Sequence, residues 1–117
     1  MPSAPAKLIA SYDRALELKP DKHGAWYNRG IALYKLERYE EAIASYDRAL
    51  EFNPDYDGIW NNRGIALKDL GRYEEAIASY DQAIELNPDD NTARYNKACC
   101  FPTDVKNSMK IPLANYE

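Results

Sequence analysis

Proline recurs at positions 20, 54 and 88, a constant step of 34 residues, and this period constrains the fold more than any other feature of the chain. Trp26 and Trp60 keep the same step, as do Gly30 and Gly64, and Tyr46 and Tyr80. Aligning Trp26–Pro54 with Trp60–Pro88 leaves 22 of 29 positions identical. The segment "IASYDRALELKP" at Ile9–Pro20 matches "IASYDRALEFNP" at Ile43–Pro54 and "IASYDQAIELNP" at Ile77–Pro88. A further fragment, "ARYNKACCF" at Ala93–Phe101, answers "AWYNRGIAL" at Ala25–Leu33. Units this short cannot bury an apolar face alone, so they must stack on their neighbours.

Each unit reads as two helices. Trp26, Gly30 and Leu33 recur at helical spacing, extended by Ala32. In the second helix Ala42, Tyr46 and Ala49 form one face, with Ile43 and Leu50 beside them. A break near Glu37–Tyr39, or Gly71–Tyr73 in the next unit, separates the pair. Proline stops each second helix, and the Pro-Asp pairs at 20, 54 and 88 place an acidic residue near the next N-terminus. Glycine inside a helix costs about 1 kcal/mol against alanine. Gly30 and Gly64 lie on the inward stripe beside Trp26 and Trp60, which predicts close approach to the small residues Ala42, Ala49, Ala76 and Ala83. Burial of the large neighbours, at roughly 1.5–3 kcal/mol each, outweighs the cost.

These residues resemble the tetratricopeptide repeat, a helix–turn–helix unit of 34 residues. The family's pattern is matched by Trp26, Gly30, Leu33, Ala42, Tyr46, Ala49 and Pro54, and again by Trp60, Gly64, Leu67, Ala76, Tyr80, Ala83 and Pro88. The resemblance implies an all-α, right-handed solenoid of antiparallel helix pairs with about six helices. Its expected divisions are an N-terminal extension at 1–5, a half repeat at 6–20, repeats at 21–54 and 55–88, a half repeat at 89–101, and an irregular tail at 102–117. Arg29, Arg63 and Lys97 stand where the family prefers leucine, so these charges are expected to reach the surface or pair with acidic neighbours. The last copy departs further, with Arg94 for tryptophan and Ala98 for glycine.

The resemblance also implies a function: binding of a peptide or helix segment on the concave face, lined by the first helix of each pair. Helical spacing puts Gly24, Tyr27, Asn28, Ile31, Tyr34 and Lys35 in the first row of that face. The second row is Gly58, Asn61, Asn62, Ile65, Lys68 and Asp69, and the third offers Tyr95, Asn96 and Cys99. Asn28, Asn62 and Asn96 share one register, and their amides offer donor and acceptor together to an extended backbone. The plain alternative is that they are polar residues capping the groove against solvent, or remnants of recent duplication. Some chaperone-binding members of the family hold a terminal carboxylate with a clamp of lysine, asparagine and arginine. The matching positions here are Tyr27, Ile31, Asn62, Thr92 and Asn96, of which Asn62 alone fits, so that activity is not expected. Tyr27, Tyr34 and Tyr95 instead suggest a partly apolar ligand.

Catalysis has little support, and neither a cofactor nor a metal is expected. His23 is the one histidine of the chain, far in sequence from Cys99 and Cys100, so no Cys–His pair or ligand cluster is suggested. The two cysteines replace Ile65 and Ala66 of the preceding copy and read as small apolar packing residues. A net charge of −4 argues against a general nucleic-acid binder. No apolar run approaches the ~20 residues that span a bilayer, and no signal-peptide core precedes Asp13 and Arg14. The expected setting is cytoplasmic, without a membrane partner. The phase of the repeat is unusual: a second-type helix comes first and a first-type helix last. Three expectations fit this phase. The first helix of one molecule completes the last helix of another, giving a homo-oligomer; the tail folds back, laying Met109, Ile111, Leu113 and Tyr116 over the end; or the chain is an excerpt of a longer solenoid.

Overall fold

The computed structural model describes residues 3–101; the expected tail at 102–117 and the first two residues of the chain lie outside the described residues. Six helices follow in order: α1 (Ala4–Leu18), α2 (His23–Lys35), α3 (Tyr39–Phe52), α4 (Asp57–Asp69), α5 (Tyr73–Leu86) and α6 (Asn91–Ala98). Each packs on the next in sequence, and α2 also touches α4. α2 with α3 and α4 with α5 are the two complete pairs. α1 takes in Ala4 and Pro5, which were expected to precede it. Ser3 caps it by accepting from the Ala6 amide, and proline fits the first turn because its missing N–H has no helical partner there.

The acidic residue of each Pro-Asp pair does not enter the following helix. In Asn87-Pro88-Asp89-Asp90 the Asp90 amide donates to the Asn87 carbonyl at 3.0 Å, so Pro88 and Asp89 are the central residues of a turn. Asp90 is the cap itself, its carboxylate accepting from the Ala93 amide at 3.0 Å. Glu40, Glu41, Glu74 and Glu75 lie in the first turns of α3 and α5, where their charge favours the helix dipole.

The break within each pair is a left-handed residue, Glu37 (φ 60) after α2 and Gly71 (φ 78) after α4. Around Glu37, the Arg38 amide donates to the Leu33 carbonyl and the Glu37 amide to that of Tyr34. Gly71 and Arg72 repeat both bonds with Lys68 and Leu67. This pair of bonds closes the helix end and reverses the chain.

The glycine at 30 serves a different neighbour from the one expected. A Cβ there would lie 2.5 Å from Tyr46 Cε1, and at Gly64 it would lie 2.5 Å from Tyr80 Cε1. What glycine admits is therefore a tyrosine ring of the facing helix, rather than an approach to alanines. Both rings are buried, Tyr46 to 2% exposure and Tyr80 to 0%, and with Leu33, Ile59 and Leu67 they are the largest fully buried apolar side chains. Trp26 and Trp60 are only half-buried; each indole N–H donates to the carbonyl of the preceding turn proline, Pro20 or Pro54. Arg94, at the same position of the last copy, keeps that bond by donating to the Pro88 carbonyl from two of its nitrogens. The substitution of arginine for tryptophan thus preserves the polar contact and gives up the ring.

The charges that replace leucine are paired with neighbouring helices, the two arginines on both sides. Arg29 of α2 donates to Asp13 of α1 at 2.6 Å and to Ser45 of α3 at 2.7 Å. Arg63 repeats both bonds with Asp47 and Ser79, each at 2.6 Å, and Lys97 meets Asp81 at 2.8 Å. Ser45 and Ser79 are each 1% exposed, so the arginine supplies the partner that these buried hydroxyls require. Within α1 the apolar pattern divides: Ile9 and Leu16 are buried, whereas Leu8 stays 47% exposed and Tyr12 half-buried.

Candidate functional site

α2, α4 and α6 place the expected binding residues along one side of the stack, and hydrogen bonds between residues 35 apart tie the rows together. The Asn62 amide donates to the Tyr27 hydroxyl at 2.8 Å, and the Asn96 amide donates to Asn61 Oδ1 at 3.4 Å. Tyr34 donates its hydroxyl to Asp69. The asparagine register is therefore not an open ladder. Asn62 and Asn96 each give one N–H to the preceding row, while Asn28, in the first row, is exposed. An amide that spends one N–H keeps a carbonyl and a second N–H to offer.

The aromatic residues of the rows differ in what they do. Tyr27 is half-buried, its ring 6.0 Å from Tyr46 and 5.5 Å from Tyr56, and its hydroxyl holds Asn62. Its pKa is raised, by burial first and by Tyr56 next, while the Asn62 bond works the other way. Tyr34 lies 5.3 Å from Tyr39, and burial followed by the bond to Asp69 pushes its ionisation far above the usual tyrosine value. Tyr95 is different, 71% exposed and at the far end of the row. Ile31, Asn61, Ile65, Lys68 and Asn96 are half-buried, and Lys35 is exposed.

The structure gathers Asn28, Ile31 and Lys35 into a cleft of about 380 Å³ with Pro5, Leu8 and Tyr12 of α1. The α1 side of this cleft was missing from the sequence-based set. Its signal was present in the register: Leu8 and Tyr12 align with Ala42 and Tyr46, which face the preceding helix. Elsewhere Cys100 belongs to the core and donates its thiol to the Asn96 carbonyl at 3.5 Å. His23 is exposed at the start of α2. Among the described residues no cluster of three or more histidine, cysteine or acidic side chains is placed to hold a metal, and no helix is long and apolar enough to cross a membrane.

Paired helices at a 34-residue step, a glycine seating a tyrosine ring, and a turn proline bonded to the next helix define a helical-repeat scaffold. The tetratricopeptide repeat model matches residues 24–56 and 59–90, and the chain belongs to that family. A search of curated protein sequences found no match. Among solved structures, the Arabidopsis OM64 TPR domain is 25% identical with a TM-score of 0.75, covering 79% of this chain and 76% of its own. The second TPR domain of human RPAP3, solved in complex with the HSP70 peptide SGPTIEEVD, is also 25% identical with a TM-score of 0.76, covering 79% of this chain and 77% of its own. MamA reaches a TM-score of 0.83 at 21% identity, over 89% of this chain and 57% of MamA, which speaks to the fold alone.

Proposed function

We propose that this chain is a recognition module that binds an extended, partly apolar peptide segment along the face formed by α2, α4 and α6. The observation that carries the reading is the bonded register of that face. Tyr27 orients Asn62 and Asn61 orients Asn96, so amide groups recur at one height beside Ile31 and Ile65. Amides held in place bind a peptide backbone without the entropy cost of ordering them first. Tyr34, Lys35, Lys68 and Tyr95 border this path. The peptide complex of a similar TPR domain supports the class of ligand. A terminal carboxylate is not the favoured feature of that ligand, because Tyr27, Ile31 and Thr92 supply no cation and the Tyr27 hydroxyl already engages Asn62.

The test is a library of displayed peptides screened against the whole chain, followed by amide chemical-shift mapping of the best binder. Shifts are expected at Asn28, Ile31, Asn62, Ile65 and Asn96, with affinity reduced about tenfold or more by Asn28→Ala combined with Asn62→Ala. Shifts confined to α3 and α5 would overturn the proposal.

A further inference from the structure

The face that α3 and α5 press against the helix before them is open on α1. Ala42, Ser45, Tyr46 and Ala49 are between 0% and 2% exposed, and Ala76, Ser79, Tyr80 and Ala83 are equally covered. At the same positions of α1, Leu8 and Ser11 are exposed and Tyr12 and Ala15 half-buried. Among the described residues, the opposite end is open in the complementary sense. Leu33 and Leu67 are 0% exposed under α3 and α5, but their counterpart Phe101 is half-buried. It lines a cleft of about 630 Å³ with Ile84, Tyr95, Lys97 and Ala98.

We infer that these two faces are the halves of one interface, with α6 of one copy seated on α1 and α2 of the next. The occupant is identified by the polar groups that each face offers. Tyr95 stands where Tyr27 stands, and Asn28 where Asn62 stands, so the exposed phenol and the exposed amide reproduce between copies the 2.8 Å bond that joins α2 to α4 within the chain. Lys97 likewise stands at Arg29, and Ser11 at Ser45. The lysine, bonded to Asp81 on one side, finds on the other the hydroxyl that Arg29 and Arg63 find inside the fold.

The contact is looser than an internal one. Tyr12 takes the place of Tyr46, but it meets Ala98 rather than glycine, and a Cβ at Gly30 would stand 2.5 Å from that ring. Arg94 meets Arg14 and Glu17, where Trp26 has Arg48 at 5.3 Å and Glu51 bonded to Arg48. Association is therefore weak and concentration-dependent. Because the two faces differ, it propagates head to tail.

The test is absolute mass by light scattering on the full chain, over a series reaching about 1 mM. Wild type is expected to rise above the mass of one chain. Leu8→Asp spoils the first face and Tyr95→Asp the second, both at exposed positions, so each variant alone stays at one chain. Mixed in equal amounts they retain one intact interface between them, and the mass rises to that of two chains and stops. Circular dichroism checks that each variant is folded; if Leu8→Asp unfolds, Ser11→Arg at an exposed position replaces it. Wild type at the mass of one chain throughout, as when residues 102–117 cover α6, would overturn the proposal. So would a Leu8→Asp variant that associates like wild type, since that means a contact between like faces.

Discussion

Two glycines of one helix separate conformation from packing. Gly24 has no atom within 4 Å of where a Cβ would stand, while at Gly30 that Cβ meets Tyr46 Cε1 at 2.5 Å and Cδ1 at 2.7 Å. Gly24→Ala is expected to raise stability by about 0.4–1 kcal/mol, through the smaller entropy of the unfolded chain. Gly30→Ala gains the same propensity but displaces a ring that is 2% exposed, and is expected to lose about 1–3 kcal/mol. Urea titration of both variants checks the pair; equal effects would mean that the ring is not held against the glycine. The sequence marked Gly30 as a packing residue through its place on the apolar stripe. It did not identify Tyr46 as the neighbour, because spacing along one helix gives a face and not the height at which the facing helix crosses it.

At the scale of the element, the turn after α2 and the turn after α4 solve one problem with different residues. Both close the helix through a left-handed position, with Glu37 at φ 60 and Gly71 at φ 78. A non-glycine residue there costs about 1–2 kcal/mol, partly offset because glycine loses more freedom on folding. Glu37→Gly is therefore expected to stabilise the protein by about 1 kcal/mol, and Gly71→Glu to destabilise it by a similar amount. Thermal unfolding of the two variants decides this, and two unchanged midpoints would count against the strain. Element order and the turn positions were legible from the repeat, and pairing with acidic neighbours was one of the two fates it offered Arg29 and Arg63. The buried serine partners, Ser45 and Ser79, were not, because a small polar residue carries no mark of which helix will cover it.

For the whole molecule, buried tyrosines couple folding to alkaline pH. Burial leads the causes that raise the pKa of Tyr27, Tyr34, Tyr46 and Tyr80 above the usual 10.0, in both complete repeats. The folded state holds these protons more tightly than the unfolded chain does. Their stabilising contribution is full below pH 10, and it is lost as pH rises toward the folded-state values. The unfolding temperature is expected to be insensitive to these groups near neutrality and to fall steadily above about pH 10. Phenolate absorbance from Tyr27, Tyr34, Tyr46 and Tyr80 should appear only together with loss of helix. Ionisation of these four with the helices intact would contradict this account.

The sequence by itself determined the period, the helical pairs and the family, and it put the proposed binding residues on the first helix of each pair. Each of these follows from residues close together in the chain, repeated often enough to exclude coincidence. Tertiary structure decided which polar groups face one another: that Asn62 is tied to Tyr27 and Asn96 to Asn61, that Arg94 keeps tryptophan's bond to the turn proline, and that Leu8 is open while Leu16 is covered. The reason is physical. A helical pattern gives each side chain its direction about its own axis, whereas a hydrogen bond depends on the distance and offset between two axes, which the packing of buried rings and alanines sets.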